Sequence, residues 1–186
     1  MPRPGPTAVE RLQKAALELF HERGYAHVTV EEIANRAGMT KRSFFYHFAD
    51  KREVLFAGAG AFEESVIRYL AETSGALDPV EAAVSALTRG GYDLTSYGPY
   101  ARERRELIAS SIELQERSLI KMATLAAAVA AALTERAVPT RIAAFAAQSA
   151  VAVFTIAYDD WADDITADFG VLMQRSLADL RQAAGC

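Results

Sequence analysis

Two helix starts, at Thr29 and Thr40, lie so close together that they constrain this chain more than any other feature. In Thr29-Val30-Glu31-Glu32 a threonine at the N-cap and a glutamate three residues on form a capping-box pattern, in which each side chain satisfies the other's orphan backbone donor. The helix opened there carries Ile33 and Ala37 on its inward face and meets Gly38 after about two turns. Thr40 is placed to cap a third helix, with Phe44 and Phe48 one turn apart on its inner side. An earlier helix begins after Thr7, with Val9, Leu12, Ala16, Leu19 and Phe20 at helical spacing, and Gly24 stops it. Two short helices joined by a tight glycine-containing turn are a helix-turn-helix.

The charge is divided to match. The whole chain has 20 Lys/Arg against 24 Asp/Glu, a net −4 that argues against a polyanionic partner. Residues 1–56 nevertheless carry +2 and the remainder −6, and within residues 36–52 five basic residues face one acidic residue. A local basic patch is what phosphate binding needs.

The rest of the chain reads as helical. Among its 186 residues are 37 alanines, so much of the 51% apolar content is a helix former rather than a strand former. Residues 1–6, with three prolines, form a flexible arm. Spacing predicts a helix from 51 to about 70, a turn at Gly75 and Asp78-Pro79, and a helix from 80 to about 94. Further helices follow at 99–109, 111–136, 140–158 and 166–182, with Val138-Pro139 as a breaker. The expected fold class is all-α with about nine helices: an N-terminal three-helix domain over 1–56 and a helical body over 57–186. The uncharged run at 142–158 is short for a membrane span and reads as a buried helix. The N-terminus lacks a signal-peptide pattern, and Cys186, the single cysteine, suits a reducing compartment, so a cytoplasmic protein is expected.

The segment LFHERGYAHVTVEEIANRAGMTKRSFFYHFADKREVLFA, residues 19–57, resembles the DNA-binding domain of the tetracycline-repressor (TetR) family of bacterial transcription regulators. It reproduces the succession Gly-Tyr, Thr-Val-x-x-Ile-Ala-x-x-Ala-Gly, Thr-Lys-x-Ser, an aromatic cluster with histidine, and Phe-x-x-Lys. The resemblance implies a double-stranded DNA operator as partner. Thr40, Lys41, Arg42 and Ser43 occupy the leading turn of the recognition helix, where side chains reach base edges. Lys41 and Arg42 suit either guanine O6/N7 or phosphate, and the residues alone leave both open. By resemblance, Tyr46, His47 and Lys51 match backbone contacts, with Lys51 starting the next helix. Thr29 matches a phosphate-proximal cap, for which capping alone is an equal reading. Phe45 departs from the family's usual tyrosine; it loses a hydroxyl and offers a face to a thymine methyl.

For the body, the resemblance implies a ligand-binding and dimerisation domain whose last two long helices pair between subunits. Phe145, Gln148, Ala152, Phe154, Leu172 and Leu180 are the candidate dimer residues. Phe62, Val66, Tyr69, Leu87, Tyr92, Tyr97, Tyr100 and Leu107 are candidates to line an apolar pocket with hydroxyl tips for a small-molecule effector. Asp159, Asp160, Asp163, Asp164 and Asp168 read as a solvated turn rather than a metal site, because adjacent carboxylates on a helix point apart. No phosphate-binding glycine loop, His-x-x-x-His spacing or Gly-x-Ser-x-Gly elbow is present. No catalytic residue, cofactor or metal is therefore assigned. The expected function is a homodimeric, effector-responsive DNA-binding regulator, most often a repressor. The competing classes are a helical enzyme and an interaction protein with a degenerate DNA domain.

Overall fold

The computed structural model describes residues 6–95 and 100–185; the arm residue Arg3, the pocket candidate Tyr97 and Cys186 lie outside them. Among the described residues regular structure is entirely helical, as expected. The helices are α1 (Ala8–Arg23), α2 (Val30–Arg36), α3 (Lys41–His47), α4 (Ala59–Glu72), α5 (Pro79–Thr95), α6 (Ala101–Ala109), α7 (Ile112–Glu135), α8 (Thr140–Asp163) and α9 (Phe169–Ala183). The chain divides into two compact units, residues 1–58 with 103–118 and residues 59–102 with 119–186.

In the first unit the caps form as the sequence dictates. Thr7 and Glu10 close one capping box at the start of α1, and Thr29 and Glu32 another at the start of α2. Gly24 and Gly38 end their helices at φ 76 and 68, a region that costs a residue with a Cβ. Leu12, Phe20, Ile33 and Phe44 are fully buried together, with Phe48 beside Phe44 at 5.4 Å between ring centroids. Leu107 and Leu114, from α6 and α7, complete this core. Residues 103–118, assigned by sequence to the C-terminal body, thus pack with the N-terminal unit. Arg104 explains part of this: its Nε donates to the Leu55 carbonyl at 2.7 Å and its guanidinium lies over the Phe56 ring. Arg117 pairs with Glu53.

The predicted helix from 51 to about 70 is broken. The Asp50 carboxylate captures the amides of Arg52 and Glu53, at 2.8 and 3.2 Å, and a short 3-10 turn follows over Glu53–Phe56. Val54, Leu55 and Phe56 are all buried; three consecutive inward residues do not fit one face of an α-helix. Gly58, at φ 85, separates this turn from α4. Lys51 therefore precedes a turn rather than starting a helix.

In the second unit α5 packs on α4, α8 and α9, and α8 packs on α9. Ala143, Ala146, Ala147, Ala150 and Ala157 of α8 are all buried, so the alanine excess becomes close helix approach. Helix α8 continues past 158 to Asp163 because Trp161 and Ala162 are also buried. Helix α9 starts at Phe169, later than predicted: Asp168 is its N-cap, accepting from Val171 N at 2.9 Å, while Thr166 hydrogen-bonds to Asp164. With 24 residues each, α7 and α8 are long and apolar enough to cross a membrane by length and composition alone. In α8 many of those apolar residues are instead buried in the core.

Candidate nucleic-acid interface

The third helix presents two different faces because its aromatic residues are consecutive. Phe44 and Phe48 turn inward, whereas Phe45 is 49% exposed and Tyr46 85% exposed. At its start the Thr40 Oγ1 accepts from Ser43 N at 3.1 Å and lies 2.9 Å from the Ser43 hydroxyl. The leading turn is thereby locked, with the exposed side chains of Lys41 and Arg42 projecting from it. His47, half-buried, meets the Tyr46 ring edge-on at 5.0 Å.

The basic patch is narrower than its charge count. Arg36 forks onto Glu22, with both Nη atoms 2.9 Å from the carboxylate oxygens, and also reaches Glu18. That bond holds the Glu22 carboxyl below the usual carboxylate range. Arg52 folds back on Asp50 at 2.6 Å and likewise lowers its pKa. Lys51 turns inward: its Nζ donates to the carbonyls of Tyr25 and Val28, at 2.9 and 3.1 Å, and sits 4.2 Å from the centre of the Tyr25 ring. Among the described residues, Lys41 and Arg42 alone of these five have neither an ion pair nor such a tether.

Thr29 is committed to capping. Its hydroxyl accepts from Glu32 N at 3.3 Å and donates to the Glu32 carboxylate at 2.8 Å, while its own amide donates to the same carboxylate at 2.8 Å. The bonds from the Thr29 amide and hydroxyl, with help from Arg23, lower the Glu32 pKa to about 2. Tyr25 and Glu22 are site residues that the sequence pattern misses, since Glu22 acts through a partner 14 residues away and Tyr25 through its backbone carbonyl.

The pocket candidates do not stay together. Val66 and Leu87 are buried in the second unit's core, with Phe62 and Tyr69 packed against it. Tyr92 and Tyr100 are exposed. Tyr92 donates to Asp168 and accepts from Gly170 N, both at 3.1 Å, so its hydroxyl serves the α9 cap. Leu107 belongs to the core of the other unit and leaves the set. Of the dimer candidates, Gln148 and Ala152 are exposed on α8 and Phe145 is 63% exposed. Phe154 is 5% exposed, packed on Phe62 and Phe169 of its own chain, and is a core residue instead. Leu172 and Leu180 pack partly against the same core. Exposed Ile142, Ile156 and Val171 extend the outward apolar surface of α8 and α9.

Comparison with known proteins places both parts of the chain. Residues 12–57 match the family model for bacterial regulatory proteins of the tetR family, and residues 75–185 match that of the MftR C-terminal domain. TcmR of Streptomyces glaucescens, an HTH-type transcriptional regulator, is 38% identical over 77 residues, 41% of this chain and 34% of TcmR. MftR of Mycobacterium tuberculosis, named as a mycofactocin biosynthesis regulator, is 26% identical over 120 residues, 61% of this chain and 57% of MftR. The matched stretches thus span less than two thirds of either relative. A SmeT–triclosan complex has the same fold at 22% identity, with a TM-score of 0.61 over 92% of this chain and 90% of that one.

Proposed function

Because the chain belongs to the TetR family of bacterial regulatory proteins, we propose that it is a cytoplasmic DNA-binding transcriptional regulator acting as a homodimer. The observation that carries this reading is the outward face of α3, where Lys41 and Arg42 are exposed and uncommitted on a turn locked by Thr40 and Ser43. A helix held by the inward Phe44 and Phe48 can lay its N-terminal residues on base edges while Tyr46 and His47 reach phosphates. Phe45, exposed beside them, supplies an apolar contact for a thymine methyl. Residues 1–56, with 103–118 packed on them, serve as the DNA-binding domain, and the remainder of 57–186 as the ligand-binding and dimerisation domain. The net −6 of residues 57–186 repels DNA and restricts contact to the α3 face.

Reading a palindrome takes two copies of α3 about 34–36 Å apart. The exposed α8 residues Phe145, Gln148 and Ala152, with Ile142 and Ile156, are the surface that pairs them. A small-molecule effector binding among Phe62, Val66 and Leu87 alters that spacing and releases the operator, a coupling free energy between two sites. One solved structure of this fold, SmeT, is a complex with triclosan, and a small apolar effector fits the aromatic and aliphatic character of these residues.

The test is an electrophoretic mobility titration against the intergenic DNA upstream of the protein's own gene, at several salt concentrations. Sequence-preferring, salt-dependent binding that Arg42→Ala weakens supports the proposal. A wild-type protein that binds this DNA no better than random duplex overturns it.

A further inference from the structure

We propose that Phe45 reads a pyrimidine C5-methyl group at one position of each operator half-site, so that 5-methylcytosine is accepted there in place of thymine and unmodified cytosine is disfavoured. The inference rests on the DNA-binding reading above and adds to it a sensitivity to base methylation. Phe44, Phe45 and Tyr46 are consecutive on α3 but differ in exposure: Phe44 is fully buried, Phe45 is 49% exposed and Tyr46 is 85% exposed. The Phe45 ring meets Phe44 edge-on, at 5.7 Å between centroids and 83° between planes, so one side of it is fixed against the core. The open side is an apolar surface, and unlike Tyr46 beside it Phe45 has no hydroxyl to give a phosphate.

What that open side meets follows from its neighbours and from the chemistry of the groove. Phe45 lies one helical turn beyond Lys41 and Arg42, on their side of α3. These exposed cations draw a polyanion to this face, and a recognition helix that carries them enters the major groove. Every base pair presents hydrogen-bond donors and acceptors there, but the groove offers a single kind of apolar group, the methyl on thymine C5. Set against the N4 donor of cytosine, the ring strips water from a polar group and supplies no bond in return, which costs free energy. Set against a C5-methyl, it buries apolar surface on both partners. 5-Methylcytosine carries its methyl on the same ring atom as thymine and so offers the same contact.

The experiment uses the full chain and a duplex that the wild-type protein enriches from a random pool. Each thymine is replaced in turn by deoxyuridine, which removes one methyl group and no hydrogen-bonding atom. We expect one replacement in each half-site to weaken binding about fourfold, the effect of one buried methyl group. Cytosine paired with guanine at that position should bind more weakly still, and 5-methylcytosine there should recover about fourfold. In Phe45→Ala the thymine and uracil duplexes should bind equally, as should the 5-methylcytosine and cytosine duplexes. The variant separates a contact from a change in duplex shape, because an effect of shape survives the substitution. The proposal is overturned if no thymine replacement weakens wild-type binding, if 5-methylcytosine binds no better than cytosine, or if the fourfold differences persist in folded Phe45→Ala.

A second measurement needs no variant. In the wild-type complex, nuclear Overhauser effects should link the Phe45 ring protons to one thymine methyl in each half-site. Their absence overturns the proposal even where Phe45→Ala does not fold. Failure of the wild-type chain to enrich any duplex is failure of the DNA-binding reading, and the proposal falls with it. An enriched duplex bound without dependence on any methyl group is failure of this inference alone.

Discussion

Glu22 and Arg36 form a two-pronged ion pair, with both Nη atoms of the arginine 2.9 Å from the carboxylate oxygens, across the packed helices α1 and α2. This pair takes one of five cations out of the apparent DNA-facing patch. DNA affinity should therefore respond unequally to substitutions that look equivalent on a charge map.

Arg42→Ala should weaken specific operator binding by about 1–3 kcal/mol if the guanidinium reads a guanine, and relax preference at one base position. Arg36→Ala should leave that preference intact and change folding stability little, since its ion pair is solvent-exposed. Binding titrations with single-base operator variants, alongside urea unfolding of each variant, separate the two.

Gly91 is required by contact rather than by conformation. A Cβ built there would lie 2.1 Å from the Phe169 ring, whereas at Gly75 it would meet nothing within 4 Å. Gly91→Ala should destabilise by about 1–3 kcal/mol through overpacking. Gly75→Ala should be close to neutral. Thermal unfolding of the two variants checks the contrast; equal melting temperatures would contradict the packing described.

Phe145 and Phe154 lie nine positions apart on α8 and should behave oppositely. Phe154→Ala, in the core against Phe62 and Phe169, should cost about 3–5 kcal/mol of stability. Phe145→Glu, on the exposed surface, should leave the fold intact and convert the proposed dimer to monomer, read by sedimentation. A variant that remains dimeric at micromolar concentration would exclude Phe145 from the interface.

Glu32 makes a pH prediction. Its folded pKa is lowered from the ordinary 4.5 to about 2, so the unfolded chain binds the proton more tightly. The capping-box contribution is fully present above about pH 4.5 and is lost as pH falls toward 2. The stability gap between wild type and Glu32→Gln should be present at pH 6 and shrink across that window. A gap that stays constant between pH 6 and 2.5 would contradict the assignment.

The local devices are legible because each is carried by neighbours in sequence. The Thr7, Thr29 and Thr40 caps and the stops at Gly24 and Gly38 all form where spacing puts them. The inward turn of Phe44 and Phe48 follows from helical periodicity in the same way. The break after Lys51 is less legible, because a helical pattern there competes with an Asp50 turn whose advantage depends on burying Val54, Leu55 and Phe56 together. Phe154 and Phe145 look alike in an alanine-rich helix, and only the packing of Phe62 and Phe169 distinguishes them.

By itself the sequence determined an all-helical chain with a capped helix-turn-helix, because caps, glycine stops and periodicity act within about a turn of the residues that encode them. Only the tertiary structure decided which charges remain available. Arg36, Lys51 and Arg52 are each satisfied by a partner that folding supplies, two by carboxylates and one by backbone carbonyls. Charge acts through space and is cancelled by whatever lies within a few ångströms, so a count along the chain includes cations that the fold has already neutralised or tied down.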